Sequence, residues 1–139
     1  MKKSLLTILA LSFLSSLHAA EITTIKETPI TDNDKKAIVV DIYAPEAVTK
    51  SDREATLKLA AQSYEAKGYE FIQVILRPSS HAEFTNNFGS LGIATYSVDG
   101  CNLQGLQCKD EKWNIKVTDY ILTEKDHKNI NDVVNDVKY

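Results

Sequence analysis

The chain has 139 residues, of which 16 are lysine or arginine and 19 are aspartate or glutamate, giving a net charge of −3 at pH 7. This mildly acidic balance argues against nucleic acid and anionic membrane as partners, because both would repel the protein. The length suits one domain and does not leave room for a second.

The first residues have the pattern of a secretory signal peptide. Two lysines form a positive start, Leu5–Leu14 is an apolar core, and Ser15–Ala20 is a stretch of small residues. The core is shorter than the ~20 residues that a membrane-spanning helix needs, which favours cleavage over an uncleaved anchor helix. We expect cleavage after Ala19, and no cysteine follows to carry a lipid anchor. The mature protein is therefore predicted to be soluble and either periplasmic or secreted.

The mature chain divides by composition into two parts. Residues 20–36 are polar and predict an N-terminal arm, although Ile22 and Ile25 would allow part of it to join a sheet edge. Residues 37–139 predict a single α+β domain with the element order β-α-β-β-β-α. We expect about four strands in one sheet, with two helices on one face of it.

Two β-rich runs begin the domain. Ala37–Pro45 places Ile38, Val40 and Ile42 on one face, and Tyr69–Leu76 is a second strand of the same kind. The helix between them would allow a crossover between parallel strands. Parallel neighbours, or a further strand inserted between the two, both remain open.

A helix is predicted between these strands. Ser51 followed by Glu54 has the spacing of a capping box, and Gly68 is placed to end the helix in a left-handed conformation. One apolar stripe recurs at helical spacing, at Leu57, Ala60, Ala61 and Tyr64. Five charged residues of the same segment are predicted to face water: Asp52, Arg53, Lys58, Glu65 and Lys67.

The segment Leu91–Leu122 reads as two strands joined by a loop that Cys101 and Cys108 close with a disulfide. An oxidising compartment and the absence of the C-x-x-C spacing favour a structural bridge over redox or metal chemistry. The second strand is predicted over Trp113–Leu122, with Trp113, Ile115, Val117 and Ile121 facing inward. A last helix begins at Thr123 or Glu124 and carries a stripe of Ile130, Val133, Val134 and Val137.

Two loops are candidate binding surfaces. The six residues between the cysteines form a preorganised loop, whose candidate contacts are Asn102, Leu103, Gln104 and Leu106. The loop before the hairpin carries Phe84 and Phe88, which are spaced either to pack on one helical turn or to be exposed for recognition.

Catalytic chemistry has weaker support. Asp41 and Asp119 each interrupt an apolar strand, so they would share a polar pocket or a proton if those strands were neighbours. The alternative is that each lies near a strand end or pairs with a lysine such as Lys116. His81 lies beside Ser79 and Ser80 but lacks a nucleophile motif, and His127 is predicted to be solvated. No metal-ligand spacing or cofactor motif is present in the sequence, so we expect no catalytic residues, metal or cofactor.

The second half of the chain contains a pattern of a tyrosine, an Asp-Gly turn, a glycine and a strand that carries a tryptophan. These features lie at Tyr96–Gly100, Gly105 and Trp113–Ile115. This pattern resembles an uncharacterised family of small exported proteobacterial proteins. The resemblance covers the last two-thirds of the mature chain and implies a βαβ-like first half. It brings no activity with it.

The sequence thus predicts a non-catalytic exported domain that binds another protein, such as an inhibitor, an immunity protein or an accessory factor of an envelope machine. The alternative is a structural subunit of a secretion, conjugation or pilus apparatus, for which a free N-terminal arm would be the mark. A small hydrolase is a third class. In solution we expect a monomer or a weak oligomer.

Overall fold

The computed structural model describes residues 20–31, 34–81 and 89–136 of the chain, so the predicted signal segment 1–19 lies outside it. Five strands form one sheet in the order β1-β2-β3-β4-β5, accompanied by two helices. The elements are β1 (Thr23–Ile30), β2 (Ala37–Tyr43), α1 (Lys50–Glu65), β3 (Phe71–Arg77), β4 (Gly92–Ser97), β5 (Trp113–Val117) and α2 (Glu124–Asp136). The predicted single α+β domain is confirmed.

The centre of the sheet is a parallel pair joined through α1. In β2 and β3, Ile38 lies opposite Ile72 and Ile42 lies opposite Leu76. Every other neighbouring pair in the sheet is antiparallel. The first two strands of the predicted domain are therefore parallel neighbours, the first of the two arrangements that the sequence left open.

Helix α1 packs its predicted apolar stripe on one face of the sheet. All four residues of the stripe are buried, together with the even-numbered residues of β2 and β3: Ile38, Val40, Ile42, Ile72, Val74 and Leu76. The helix begins two residues earlier than its predicted start, because Thr49 and Asp52 form the capping box in place of Ser51 and Glu54. The helix ends at Glu65 with Ala66 as its C-cap, and Gly68, three residues after Glu65, has the predicted left-handed conformation with a φ of 83°.

Strand β1 adds a fifth strand to the about four that were expected, and it comes from the arm that the sequence allowed to join a sheet edge. Eight residues of the predicted polar arm, Thr23–Ile30, pair with β2 as an antiparallel edge strand. Most of their side chains are exposed, so the segment lacks the apolar alternation by which a half-buried strand is recognised. Backbone hydrogen bonds to β2, rather than side-chain burial, place this strand in the sheet.

The β4–β5 hairpin carries the predicted Cys101–Cys108 disulfide in its connection. Strand β5 ends at Val117, five residues earlier than predicted, and Ile121 is exposed rather than inward-facing. At Gly92 the hairpin lies so close to α1 that an added Cβ would stand 2.8 Å from Leu57 Cδ1. Only glycine allows β4 to pack this closely there.

Helix α2 does not lie beside α1, contrary to the prediction that both helices cover one face. Its contacts are at the carboxyl ends of β2 and β3, where His127 and Asn131 meet Tyr43 and the segment 78–80. The predicted stripe is also rotated. Val134 is buried but Val133 is exposed, while Val137 lies outside the described residues.

Candidate functional site

The two acidic residues proposed as a catalytic pair have separate partners. Asp41 is buried on the face of β2 opposite α1, with its Oδ1 2.6 Å from Arg77 Nε. The side chain of Asp119 is 95% exposed and reaches only Lys50, at 4.0 Å. Each carboxylate therefore has its own cation: Arg77 lies beside Asp41, and Lys50, rather than Lys116, lies beside Asp119. No shared pocket is available for acid–base chemistry between them.

A buried polar cluster lies at the carboxyl ends of the parallel strands. Its centre is Asn131, whose Nδ2 donates to the Tyr43 hydroxyl at 3.1 Å. The Oδ1 of Asn131 accepts from Ser79 Oγ at 2.8 Å and from the Ser80 amide at 3.2 Å. Both functional groups of the amide are thereby satisfied, so the cluster fastens α2 to the ends of the strands.

His127 belongs to the same cluster and is fully buried, although it was predicted to be solvated. Its Nδ1 lies 2.9 Å from the Pro78 carbonyl oxygen, which can only accept, so Nδ1 carries a proton. Its ring meets Tyr43 edge-on, with centroids 5.5 Å apart. The sequence did contain a signal for the burial of this histidine, because one face of α2 has helical spacing at His127, Ile130, Asn131 and Val134. Two of these four residues are polar, so the set was not recognised as a buried face.

Among the described residues, His81 contacts this region through its backbone. Its amide donates to Ser79 Oγ at 3.2 Å, so the Ser79–His81 segment is a turn-like structure and not a nucleophile with its base. In residues 20–31, 34–81 and 89–136, no three histidine, cysteine or acidic side chains lie close enough together to hold a metal ion.

The second candidate surface is the segment Cys101–Cys108, here called the disulfide loop. Inside it, Asn102 and Leu106 close a compact turn: the Asn102 amide donates to the Leu106 carbonyl at 3.0 Å, and the Leu106 amide donates to Asn102 Oδ1 at 2.8 Å. The Gly105 amide donates to the Asn102 carbonyl at 2.9 Å. The loop thus has an internal scaffold besides its disulfide.

The base of the disulfide loop is fixed by Asp99. Its carboxylate lies 2.6 Å from Lys35 Nζ and accepts from the Cys101 amide at 3.0 Å and from Ser97 Oγ at 2.9 Å. The ammonium of Lys35, followed by these two donors, holds the pKa of Asp99 far below its ordinary value. The loop is therefore anchored to the segment that enters β2 as well as to β4.

Gly100 permits the chain to close at the same place. Its amide donates to the Ser97 carbonyl at 3.1 Å, and its own carbonyl accepts from the Lys109 amide at 2.9 Å. With a φ of 72° and the Lys109 oxygen 2.0 Å from where a Cβ would stand, no other residue fits.

Of the candidate contacts in the disulfide loop, Leu106 is the most prominent. Its side chain is 65% exposed. Gln104 is also exposed, whereas Asn102 and Leu103 are half-buried. Beside the loop, a groove of about 200 Å³ runs from Phe71 of β3 across the face of the sheet opposite α1. The other proposed aromatic contacts, Phe84 and Phe88, lie outside the described residues.

Across the described part of the chain, no helix combines the length and the apolar composition that crossing a bilayer requires. The cysteines are both engaged in the disulfide, so neither is a free thiol.

Comparison with known proteins gives a fold and a family without an activity. A crystal structure of a DUF487 family protein from Desulfovibrio piger superposes with a TM-score of 0.61 and 23% sequence identity, over 77% of this chain and 67% of that one. At this identity the likeness supports the fold alone. No curated protein matches the sequence.

The family itself is identified by a sequence model. The model described as Domain of unknown function (DUF4875) matches residues 17–136, which includes every described strand and helix. The expected membership of an uncharacterised family is thereby confirmed: the chain belongs to the DUF4875 family.

Proposed function

We propose that this protein is an exported, non-catalytic domain that binds another protein through its disulfide loop. The observation that carries the proposal is the exposure of Leu106 on a backbone that is already rigid. The apolar side chain stands in solvent although the disulfide, the Asn102 turn and the Asp99 anchor fix the loop around it.

A rigid loop favours binding because its conformational entropy is lost during folding and not during association. An exposed apolar side chain such as that of Leu106 contributes binding free energy when a partner pocket removes it from water. The groove beside the loop, lined by side chains that include Lys109, Glu111 and Lys112, would supply the polar rim of such an interface.

Export is supported by the disulfide and by the signal-like residues 1–19. Intact mass spectrometry of the protein recovered from the periplasm or medium should give a chain that starts near Ala20 and resists alkylation without prior reduction. A full-length chain with two alkylated thiols would contradict export.

The binding surface is tested by site-specific photocrosslinking in the producing cell. A benzophenone side chain at position 106 should give one adduct of defined mass, which disappears when Gln104 is also replaced by Arg. The matched control is position 133 on α2, since Val133 is 62% exposed and lies on a different element. Equal adducts from both positions, or none from position 106, would overturn the proposal.

The alternative of a structural subunit depended on a free N-terminal arm. Thr23–Ile30 of that arm already pair with β2 in the protein's own sheet, so they are not free to complete a neighbour's sheet. This observation favours the binding domain over the structural subunit.

A further inference from the structure

Among the strands formed by residues 20–31, 34–81 and 89–136, β5 lies at the end of the sheet, and the backbone groups on its outer side have no partner strand there. The Ser97 amide at the end of β4 donates to the Lys112 carbonyl, and the Thr118 amide donates to the carbonyl of Leu91, just before β4. The even-numbered residues of the segment around β5 therefore direct their backbone groups toward β4. The odd-numbered residues Trp113, Ile115 and Val117 consequently direct three N–H and three C=O groups away from the sheet.

The two edges of the sheet are not equivalent. At the other edge, β1 contains Pro29 and an irregular register between Thr24 and Lys26, both of which hinder the addition of another strand. Strand β5 has neither proline nor glycine, and its register with β4 is continuous from Trp113 to Val117. Only the β5 edge is therefore regular enough to template a further strand.

The side chains of β5 define what such a strand would contain. On the α1 side, Trp113, Ile115 and Val117 pack against the core but remain partly exposed, which suits apolar side chains at alternate positions. On the opposite side, Lys116 is exposed, and Lys112 lies just before the strand on the same side. From Lys112 to Val117 both charged side chains are lysines, whereas the acidic residues Glu111 and Asp119 flank this stretch and the whole chain has a net charge of −3.

We propose that β5 binds an extended segment of the partner protein, in which apolar residues alternate with acidic ones, as a sixth strand of the sheet. The apolar residues continue the row of Trp113, Ile115 and Val117, and the acidic residues face Lys112 and Lys116. This inference rests on the proposed function and names the partner chemistry of that interface, because β5 begins only five residues after Cys108, at the end of the disulfide loop.

A second copy of the same chain is a poorer occupant of this edge. Pairing two β5 strands would bring the lysines of both copies to the same face of the joined sheet, where like charges repel. An acidic segment instead gains from the same lysines.

The test uses the single tryptophan of the chain, since Trp113 lies in β5 and its fluorescence reports on the edge. The probe is a capped octapeptide of alternating glutamate and valine, titrated into the disulfide-intact protein. We expect saturable binding that is lost when alternate peptide nitrogens are methylated, because methylation removes the donors that the edge carbonyls need. An otherwise identical lysine–valine peptide should bind at least tenfold more weakly.

The charge preference should reverse in the Lys112→Glu/Lys116→Glu variant, which is expected to bind the lysine–valine peptide and not the glutamate–valine one. The matched control is Lys26→Glu/Lys125→Glu, in which two exposed lysines away from β5 are changed and the preference should stay as in the wild type. Reversal in the first variant alone would support a basic edge that reads acidic residues.

The inference is overturned if neither peptide binds, if methylation has no effect, or if the charge reversal changes nothing. A dimer that forms through β5 in light scattering and is lost in the Lys112→Glu/Lys116→Glu variant would likewise contradict it, since the occupant would be a second copy. Specific crosslinking at position 106 without peptide binding would refute strand addition and leave the proposed function standing. Peptide binding without crosslinking at position 106 would support strand addition and refute binding through the disulfide loop.

Discussion

Arg53 holds three segments of the chain together although it is a charged residue in a helix. It is buried, its Nε donates to the Ala47 carbonyl at 3.1 Å, and its Nη1 donates to the Thr118 carbonyl at 3.4 Å and also to the Tyr120 carbonyl. Burial lowers the pKa of the guanidinium, which nonetheless stays charged because arginine begins so high. The residue fastens the segment after β5 to the start of α1.

Replacing this arginine should cost more stability than any exposed change on the same helix. Arg53→Met keeps the side-chain length but leaves three carbonyls without their donor, and we expect a loss of about 3 kcal/mol in the free energy of unfolding. Urea denaturation measures it, with Gln62→Ala at an exposed position of α1 as the control. A loss no greater than that of the control would show that water replaces the guanidinium without cost.

Tyr64 predicts a pH dependence at the alkaline end. Burial, and after it the hydrogen bond that its hydroxyl donates to Glu27, raises the pKa of Tyr64 from 10.0 to about 12. Between these two pH values the hydroxyl of Tyr64 is deprotonated in the unfolded chain and protonated in the folded one. The contribution of this group to the free energy of unfolding is therefore complete below pH 10 and declines as the pH rises toward 12.

The Tyr64→Phe variant isolates this effect from the other groups that titrate in the same range. At neutral pH the variant should be less stable by about 1 kcal/mol, because the hydrogen bond to Glu27 is gone. The difference between wild type and variant should then shrink as denaturation is repeated at rising alkaline pH. A difference that stays constant would mean that the folded protein does not hold the proton of Tyr64.

At the level of elements, the disulfide loop combines two kinds of closure. The covalent one joins Cys101 to Cys108, and the noncovalent one consists of the Asn102–Leu106 hydrogen bonds and the Asp99 anchor. A disulfide that closes a loop of about eight residues lowers the conformational entropy of the unfolded chain, which stabilises the folded state by roughly 2.5 kcal/mol. The noncovalent contacts need no cysteine and remain after reduction.

Replacing both cysteines by serine should therefore lower the melting temperature while the domain stays folded. The expected loss is about 2.5 kcal/mol, less than the margin of about 5–15 kcal/mol that a domain of this size holds. Calorimetry of the Cys101→Ser/Cys108→Ser variant checks it, and reduced wild type is the matched control. An unchanged melting curve would show that the disulfide contributes nothing as a crosslink.

The elements with regular burial were predictable from sequence, and the others were not. The stripe of α1 and the strands β2 and β3 follow helical or alternating spacing, which their burial preserves. Arg53 has the same spacing, since it stands four residues before Leu57, but its charge assigned it to the solvent side. The burial of such a group depends on carbonyls more than sixty residues away, which no local pattern contains.

The candidate site shows the same limit. The disulfide was predictable because the chain has two cysteines, which allow one intramolecular pairing, and a start that resembles a signal peptide. The partners of Asp41 and His127 were missed, since Arg77 and Pro78 meet them only through sheet register and helix docking. The burial of His127 itself was indicated by its helical spacing with Ile130 and Val134. The basic edge likewise follows from strand order, because β5 is an edge only in the assembled sheet.

At the scale of the whole molecule, the two helices stabilise different parts of the sheet. Helix α1 connects the central parallel strands and packs its stripe into the main core, whereas α2 is fastened at the carboxyl ends of β2 and β3 by His127 and Asn131. The asparagines, aspartates and valines that make up much of α2 are poor helix formers, so its stability depends on this docking. We therefore expect α2 to open without the unfolding of the sheet.

The last prediction tests this separation. His127→Ala removes the donor to the Pro78 carbonyl and the ring that meets Tyr43, so the amides of α2 should exchange with deuterium much faster while those of β2 and β3 keep their protection. In His127→Asn, the amide nitrogen takes the place of Nδ1 and should restore part of the protection. If the amides of β3 accelerate as much as those of α2 in His127→Ala, the molecule unfolds as one cooperative unit, and the cluster at the strand ends is part of the main core rather than a separate attachment of α2.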